Sequence, residues 1–84
     1  MATYKVLYWQ EVPTQVRAED ADDEVSLPLA QSFMERVDRL AMQRGLAGTD
    51  DYLAQWKWSD EQQREGSARE VAEAVRTELE SGAG

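Results

Sequence analysis

The sequence is 84 residues long and sets 17 acidic side chains against 9 basic ones, a formal charge of −8 at neutral pH. Cysteine and histidine are both absent, which removes disulfides, thiolate nucleophiles, Cys/His zinc sites, haem ligation by His and every His-based acid–base device. A chain of this size forms one domain with a small core and modest stability. Its acidic balance argues against nonspecific binding of nucleic acid or of an anionic membrane, both of which rest on basic patches.

From the amino terminus, Thr3–Trp9 is rich in aromatic and β-branched residues and reads as a strand. Tyr4, Val6 and Tyr8 fall on one face, and Lys5, Leu7 and Trp9 on the other. Both faces carry apolar residues, which suits a central strand or one covered on both sides. Glu11–Pro13 makes the break, since Pro13 lacks a ladder donor and biases Val12 to extended geometry. Thr14–Ala18 then reads as a second strand. Residues 19–24 run Glu-Asp-Ala-Asp-Asp-Glu, and like charge packed this closely predicts a solvated, mobile acidic loop. Val25–Leu27 is a candidate short strand beyond it.

Helical periodicity takes over from there. Pro28 suits a first-turn position, and Ala30, Phe33, Met34, Val37, Leu40 and Ala41 make one apolar stripe. Glu35 and Arg39 form an i,i+4 pair on the opposite side, and Gly45 is the expected left-handed stop. Thr49 caps a short second helix with Asp50 and Asp51 in its first turn, and Tyr52, Leu53 and Trp56 on one face. The stretch from Lys57 to Arg64 is a candidate further strand, led by the alternation of Trp56 and Trp58. Ser67 and Glu70 form a capping box ahead of a third helix, whose stripe is Ala68, Val71, Ala72, Val75 and Leu79.

The order is therefore β-β-α-α-(β)-α. Helices with a single apolar face need a sheet to cover, so the expected fold is α+β: a small two-layer sandwich, helices packed on one face of a short sheet. Residues 1–84 are expected to form a single domain, ordered over about 3–80, with a frayed tail at 81–84. The first residues lack a basic segment leading into a long apolar run, and charges break every apolar stripe. The expected setting is the cytoplasm, with no membrane span and no nucleic-acid partner.

Carboxylates are the abundant reactive groups, yet the acidic run lacks the ligand spacing of a calcium loop. The serines have no His partner, no G-x-S-x-G elbow exists, and the glycines stand singly instead of forming a phosphate loop. No catalytic, cofactor or metal site is expected. The seven aromatics are more informative, because so small a core cannot hide all of them. Trp9 at a strand end and Trp58 in a polar stretch are the two expected to be partly exposed. Trp, Tyr and Arg dominate interface energetics, so the candidate partner surface comprises Trp9, Pro13, Gln15 and Arg17, with Arg39 and Trp56 beside it if the first helix packs over that strand end.

The run Tyr8-Trp9-Gln10-Glu11-Val12-Pro13-Thr14-Gln15-Val16 resembles the opening YWxxIPxQV signature of the virulence factor domain, a small bacterial family. That domain also occurs at the end of the larger conserved virulence factor C proteins. Leu27-Pro28-Leu29 followed by Phe33, then Val37–Met42, then Gly48–Trp56 resemble its further blocks in the same order. The resemblance covers about Thr3 to Trp56 and weakens in the last helix. It implies a basic segment before Leu27, where this chain instead carries the acidic run. It also implies a setting near one-carbon and corrinoid methyl-transfer or iron–sulfur scaffold proteins. The expected function is that of a small non-catalytic accessory or protein-interaction module. The alternatives are a small subunit completing a methyl-transfer complex, or a sensor that binds a small metabolite in an aromatic pocket.

Overall fold

Aromatic and β-branched side chains hold Ala2–Trp9 extended as β1, and Val12–Glu19 returns beside it as β2 in the computed structural model, which describes residues 1–82. Glu24–Pro28 adds β3. The helices α1 (Gln31–Gln43) and α2 (Asp50–Ala54) follow, then the short strands β4 (Trp56–Trp58) and β5 (Gln62–Arg64), then α3 (Ala68–Gly82). Every pairing is antiparallel, in the order β3-β2-β1, with β4 and β5 end to end along the far edge of β1.

The chain turns one step earlier than Pro13 suggested. Trp9 pairs with Val12 across a two-residue turn, Gln10–Glu11. Gln10 takes a positive φ of 52°, a conformation that costs a non-glycine residue free energy. It is clamped there by its backbone N–H donating to the Gln55 carbonyl and its side-chain amide donating to Gln55 Oε1. Pro13 lies inside β2, opposite Tyr8, because the register slips between Leu7 and Tyr8 and leaves Thr14 as an extra residue. That bulge accommodates a residue with no ladder donor. The Thr14 hydroxyl donates to the Leu7 carbonyl at 2.9 Å and fixes the bulge.

Antiparallel partners share a face, so the register sorts the sheet into two surfaces. On one, Ala2, Val6, Val16, Ala18 and Val25 are buried. The helix α3 packs on β1, β2 and β3 there through Ala68, Val71, Ala72 and Val75. On the other, Lys5 pairs with Arg17 and Arg17 with Ser26, while Leu7 pairs with both Gln15 and Trp58. Trp9, Val12 and Trp56 continue that second face at the turn end, where α2 reaches it through Tyr52.

The helix signals hold with local shifts. In α1, Phe33, Val37 and Ala41 are buried, whereas Met34 and Ala30 of the expected stripe are exposed. Pro28 ends β3 opposite Gln15 instead of opening α1. The Ala30 N–H is taken by Glu80 Oε2 at 2.7 Å. Gly45, at φ 69°, stops α1. The N–H groups of Gly45 and Leu46 then reach back to the carbonyls of Met42 and Ala41, a Schellman closure. Thr49 Oγ1 accepts from the Tyr52 N–H, and Ser67 and Glu70 satisfy each other's backbone N–H groups, as their spacing predicts. The expected strand over Lys57–Arg64 is two three-residue strands split at Ser59, whose hydroxyl accepts the Val6 N–H at 2.9 Å. Apart from Trp56 and Trp58 their residues are polar, so alternation was a weak signal.

The acidic run is more ordered than its charge suggested. Asp20 Oδ1 accepts from the N–H groups of Asp22 and Asp23, and Oδ2 accepts from the Ala68 N–H at 2.7 Å. Asp20 thus ties the β2–β3 turn to the first turn of α3, where the helix dipole favours an anion. The Ala68 bond is the largest of the causes that hold its carboxyl below the ordinary value of 3.8. Ser81 and Gly82 complete α3, and the remainder of the expected frayed tail, residues 83–84, lies outside the described residues.

Two outcomes check this packing. Phe33→Ala should cost about 3–5 kcal/mol, comparable with the whole stability of a small domain, by denaturant unfolding. Asp20→Ala should lower Tm at pH 7, while Asp22→Ala should leave it unchanged. Because the folded-state pKa of Asp20 is depressed, its contribution is complete above the unfolded value and is lost as pH falls through the lower folded one. The Tm gap between wild type and Asp20→Ala should therefore hold at neutral pH and close on acidification below 3.8.

Candidate functional site

The second sheet face is where the functional candidates collect. Its rows, read across the strands, step from charge to apolar surface. Thr3, Glu19 and Glu24 form one row, followed by Lys5, Arg17 and Ser26, and then by Trp58, Leu7, Gln15 and Pro28. The last row, Trp56, Trp9 and Val12, differs in being closed over. Trp9 is 0% exposed, its indole N–H donates to the Tyr52 carbonyl at 3.0 Å, and its ring lies 5.6 Å from that of Tyr52. Tyr52 meets Trp56 edge-on at 6.2 Å.

The middle rows stay uncovered. Trp58 is 41% exposed, and the Lys5 Nζ stands 5.0 Å from its ring centroid, a cation–π contact. Lys5 and Arg17 are direct cross-strand neighbours, an arrangement of like charge that disfavours the pairing unless it is offset. Arg17 is offset by Glu24, whose Oε1 accepts from Nη2 at 2.7 Å. That hydrogen bond is the largest cause holding the Glu24 carboxyl below its ordinary value and the Arg17 guanidinium above its own. Lys5 makes no ion pair among the described residues. A polar cleft of about 230 Å³ opens beside the two cations, its lining including Thr3, Glu19 and Glu61.

The residues singled out from sequence separate into four places. Gln15 and Arg17 lie on the open face as neighbours two positions apart on β2. Trp9 is not exposed and Trp56 is half-buried, both belonging to the aromatic cluster under α2. Pro13 is buried on the opposite face beside Tyr8, where a cleft is bounded by Glu11, Leu79 and Gly82. The idea that the hairpin return brings Trp9 close to Arg17 therefore fails. Trp9 pairs at the turn and Arg17 lies opposite Lys5, further down the ladder. Arg39 is exposed on α1, and its expected pair with Glu35 is not among the ion pairs of the described residues.

Lys5 and Leu7 were missed. Their alternation with Trp9 was visible, but nothing local says that the cover over this face stops at Trp9. Trp58, expected to be partly exposed, is so. Elsewhere, Ala41, Met42, Ala47 and Tyr52 line a mainly apolar cleft of about 370 Å³ with Asp38 at its rim. Among the described residues no three acidic side chains converge on a metal position, and no helix is long and apolar enough to cross a membrane.

Trp9→Ala should cost about 3–5 kcal/mol and leave the indole acceptor at Tyr52 unused. Trp58→Ala should melt close to wild type, which differential scanning calorimetry on both variants resolves. No curated protein and no solved structure matches the chain. The family model described as virulence factor does match, over residues 7–82, and so takes in Leu7, Gln15, Arg17 and Trp58 of the open face, the aromatic cluster and α3, while Lys5 lies just before it. The match runs through the last helix, where the resemblance read from the sequence had faded. The chain belongs to the virulence factor family.

Proposed function

We propose that the protein is a non-catalytic interaction module of the cytoplasm that binds a protein partner through its open sheet face. The observation that carries this reading is Trp58, 41% exposed beside Lys5 and Leu7 on the part of the sheet face that α2 does not reach. A large ring held in place by a cation on one side and an apolar neighbour on the other is an anchor with little rotamer freedom left to lose on binding. Gln15 and Arg17 supply adjacent directional donors. Family membership adds a virulence-associated setting for such a partner. A sequence with neither histidine nor cysteine also lacks the side chains most used for acid–base and nucleophilic work.

Immobilised wild-type protein should capture a defined partner from the native cell. Trp58→Ala and Arg17→Ala should each weaken that capture about tenfold, or about 1.4 kcal/mol. Both variants should keep the wild-type Tm and near-ultraviolet circular dichroism. Equal capture of the same partner by all three folded proteins would remove the open face from the interaction.

A further inference from the structure

The chemistry of the open face narrows the partner, and this step rests on the reading just given. The chain carries 17 acids against 9 bases, yet two of its cations stand directly opposite each other on neighbouring strands. Fold stability does not call for this arrangement, since like charges in register oppose strand pairing. Only one of the two is ion-paired among the described residues: Glu24 reaches Arg17, while Lys5 rests over the Trp58 ring. Glu24 itself is exposed, at the first position of β3. Its bond to Arg17 can open without disturbing the core.

We propose that the Lys5–Arg17 pair receives a carboxylate of a short, extended acidic segment of the partner protein, and that Glu24 occupies Arg17 until that segment displaces it. Side chains two positions apart on an extended chain are about 6.5–7 Å apart and point the same way. That is also the spacing between the Lys5–Arg17 row and the Leu7–Trp58 row. A segment with a glutamate facing the first row therefore sets a large apolar residue on the second, two positions along. A nucleic acid fits less well. Glu19 and Glu61 line the cationic cleft, so a continuous phosphate chain, charged at every unit, meets negative charge there. Glu24 acts as an internal competitor, so the free protein presents a partly satisfied site, and binding exchanges one carboxylate for another.

The probe is a short capped peptide with one glutamate and a leucine two residues on, compared with its glutamine counterpart. Binding is followed through the Trp58 indole N–H resonance of the ¹⁵N-labelled full chain, with Tm recorded for each variant. Wild type should bind the glutamate peptide saturably and weaken with added salt. Glu24→Gln should tighten binding about threefold or more, and Arg17→Gln should weaken it about tenfold. The glutamine peptide should leave the resonance unmoved. An unchanged affinity in folded Glu24→Gln would overturn the competitor role. Equal binding of the glutamine peptide, or no saturable binding by either wild type or Glu24→Gln, would overturn the acidic-segment assignment. So would equal shifts from inorganic phosphate or a single-stranded oligonucleotide. If the cellular partner needs Trp58 but ignores Glu24 and Arg17 substitutions, the anionic assignment alone fails. If Trp58→Ala captures that partner normally, the open-face reading itself is lost.

Discussion

The turn end of the sheet depends on the indole of Trp9. Among the fully buried side chains it is the one large ring, the others of note being valines, so a core this thin has nothing with which to replace it. Burial obliges the indole N–H to find an acceptor, and the Tyr52 carbonyl is that acceptor. Meeting this need pins α2 against the hairpin, sets Tyr52 between Trp9 and Trp56, and brings Gln55 to the strained Gln10. The boundary between covered and uncovered sheet follows from the same contact. Beyond the reach of a five-residue helix, the rows of Leu7 and Lys5 have no roof.

Periodic and capping signals were legible in the sequence wherever they were local. The Ser67–Glu70 box, the Thr49 cap, the Gly45 stop and the buried stripe of Phe33, Val37 and Ala41 all act within a turn or two of chain, and all appear. The strand alternation of β1 was likewise visible. Illegible was anything set by tertiary register. Pro13 reads as a break because a proline cannot serve a ladder, and only the bulge at Thr14 shows why it need not. Trp9 at a strand end looked exposed because its cover arrives 43 residues later. Of the candidate surface, Gln15 and Arg17 lie on the uncovered part of the sheet. Lys5 and Leu7 were overlooked, since exposure is a property of what packs above a residue and not of the residue.

Charge follows the same lesson. A net charge of −8 suggests acids that serve solubility, and Asp22 fits that description. Several others instead join distant segments. Asp20 holds the first turn of α3, Glu80 holds the start of α1, Glu78 pairs with Arg64 and Glu11 with Arg44. Two of these bonds run from carboxylate to helix-start N–H, a pairing that needs no basic partner and so consumes no positive charge. A chain short of cations can therefore remain tied together by its anions and keep Lys5 and Arg17 for the open face.

The split of the outer strand at Ser59 has a consequence for solution behaviour. A continuous outer edge along β1 would present a row of unsatisfied amides, the template on which sheets of separate molecules join. Two three-residue segments, with the Ser59 hydroxyl and N–H engaging Val6 between them, cover that edge without creating a long new one. The opposite edge, β3, is five residues long, begins at an acid and ends at Pro28. Neither side offers a flat run of backbone for an incoming strand, so the sheet can leave one face bare and still resist growing into a fibre.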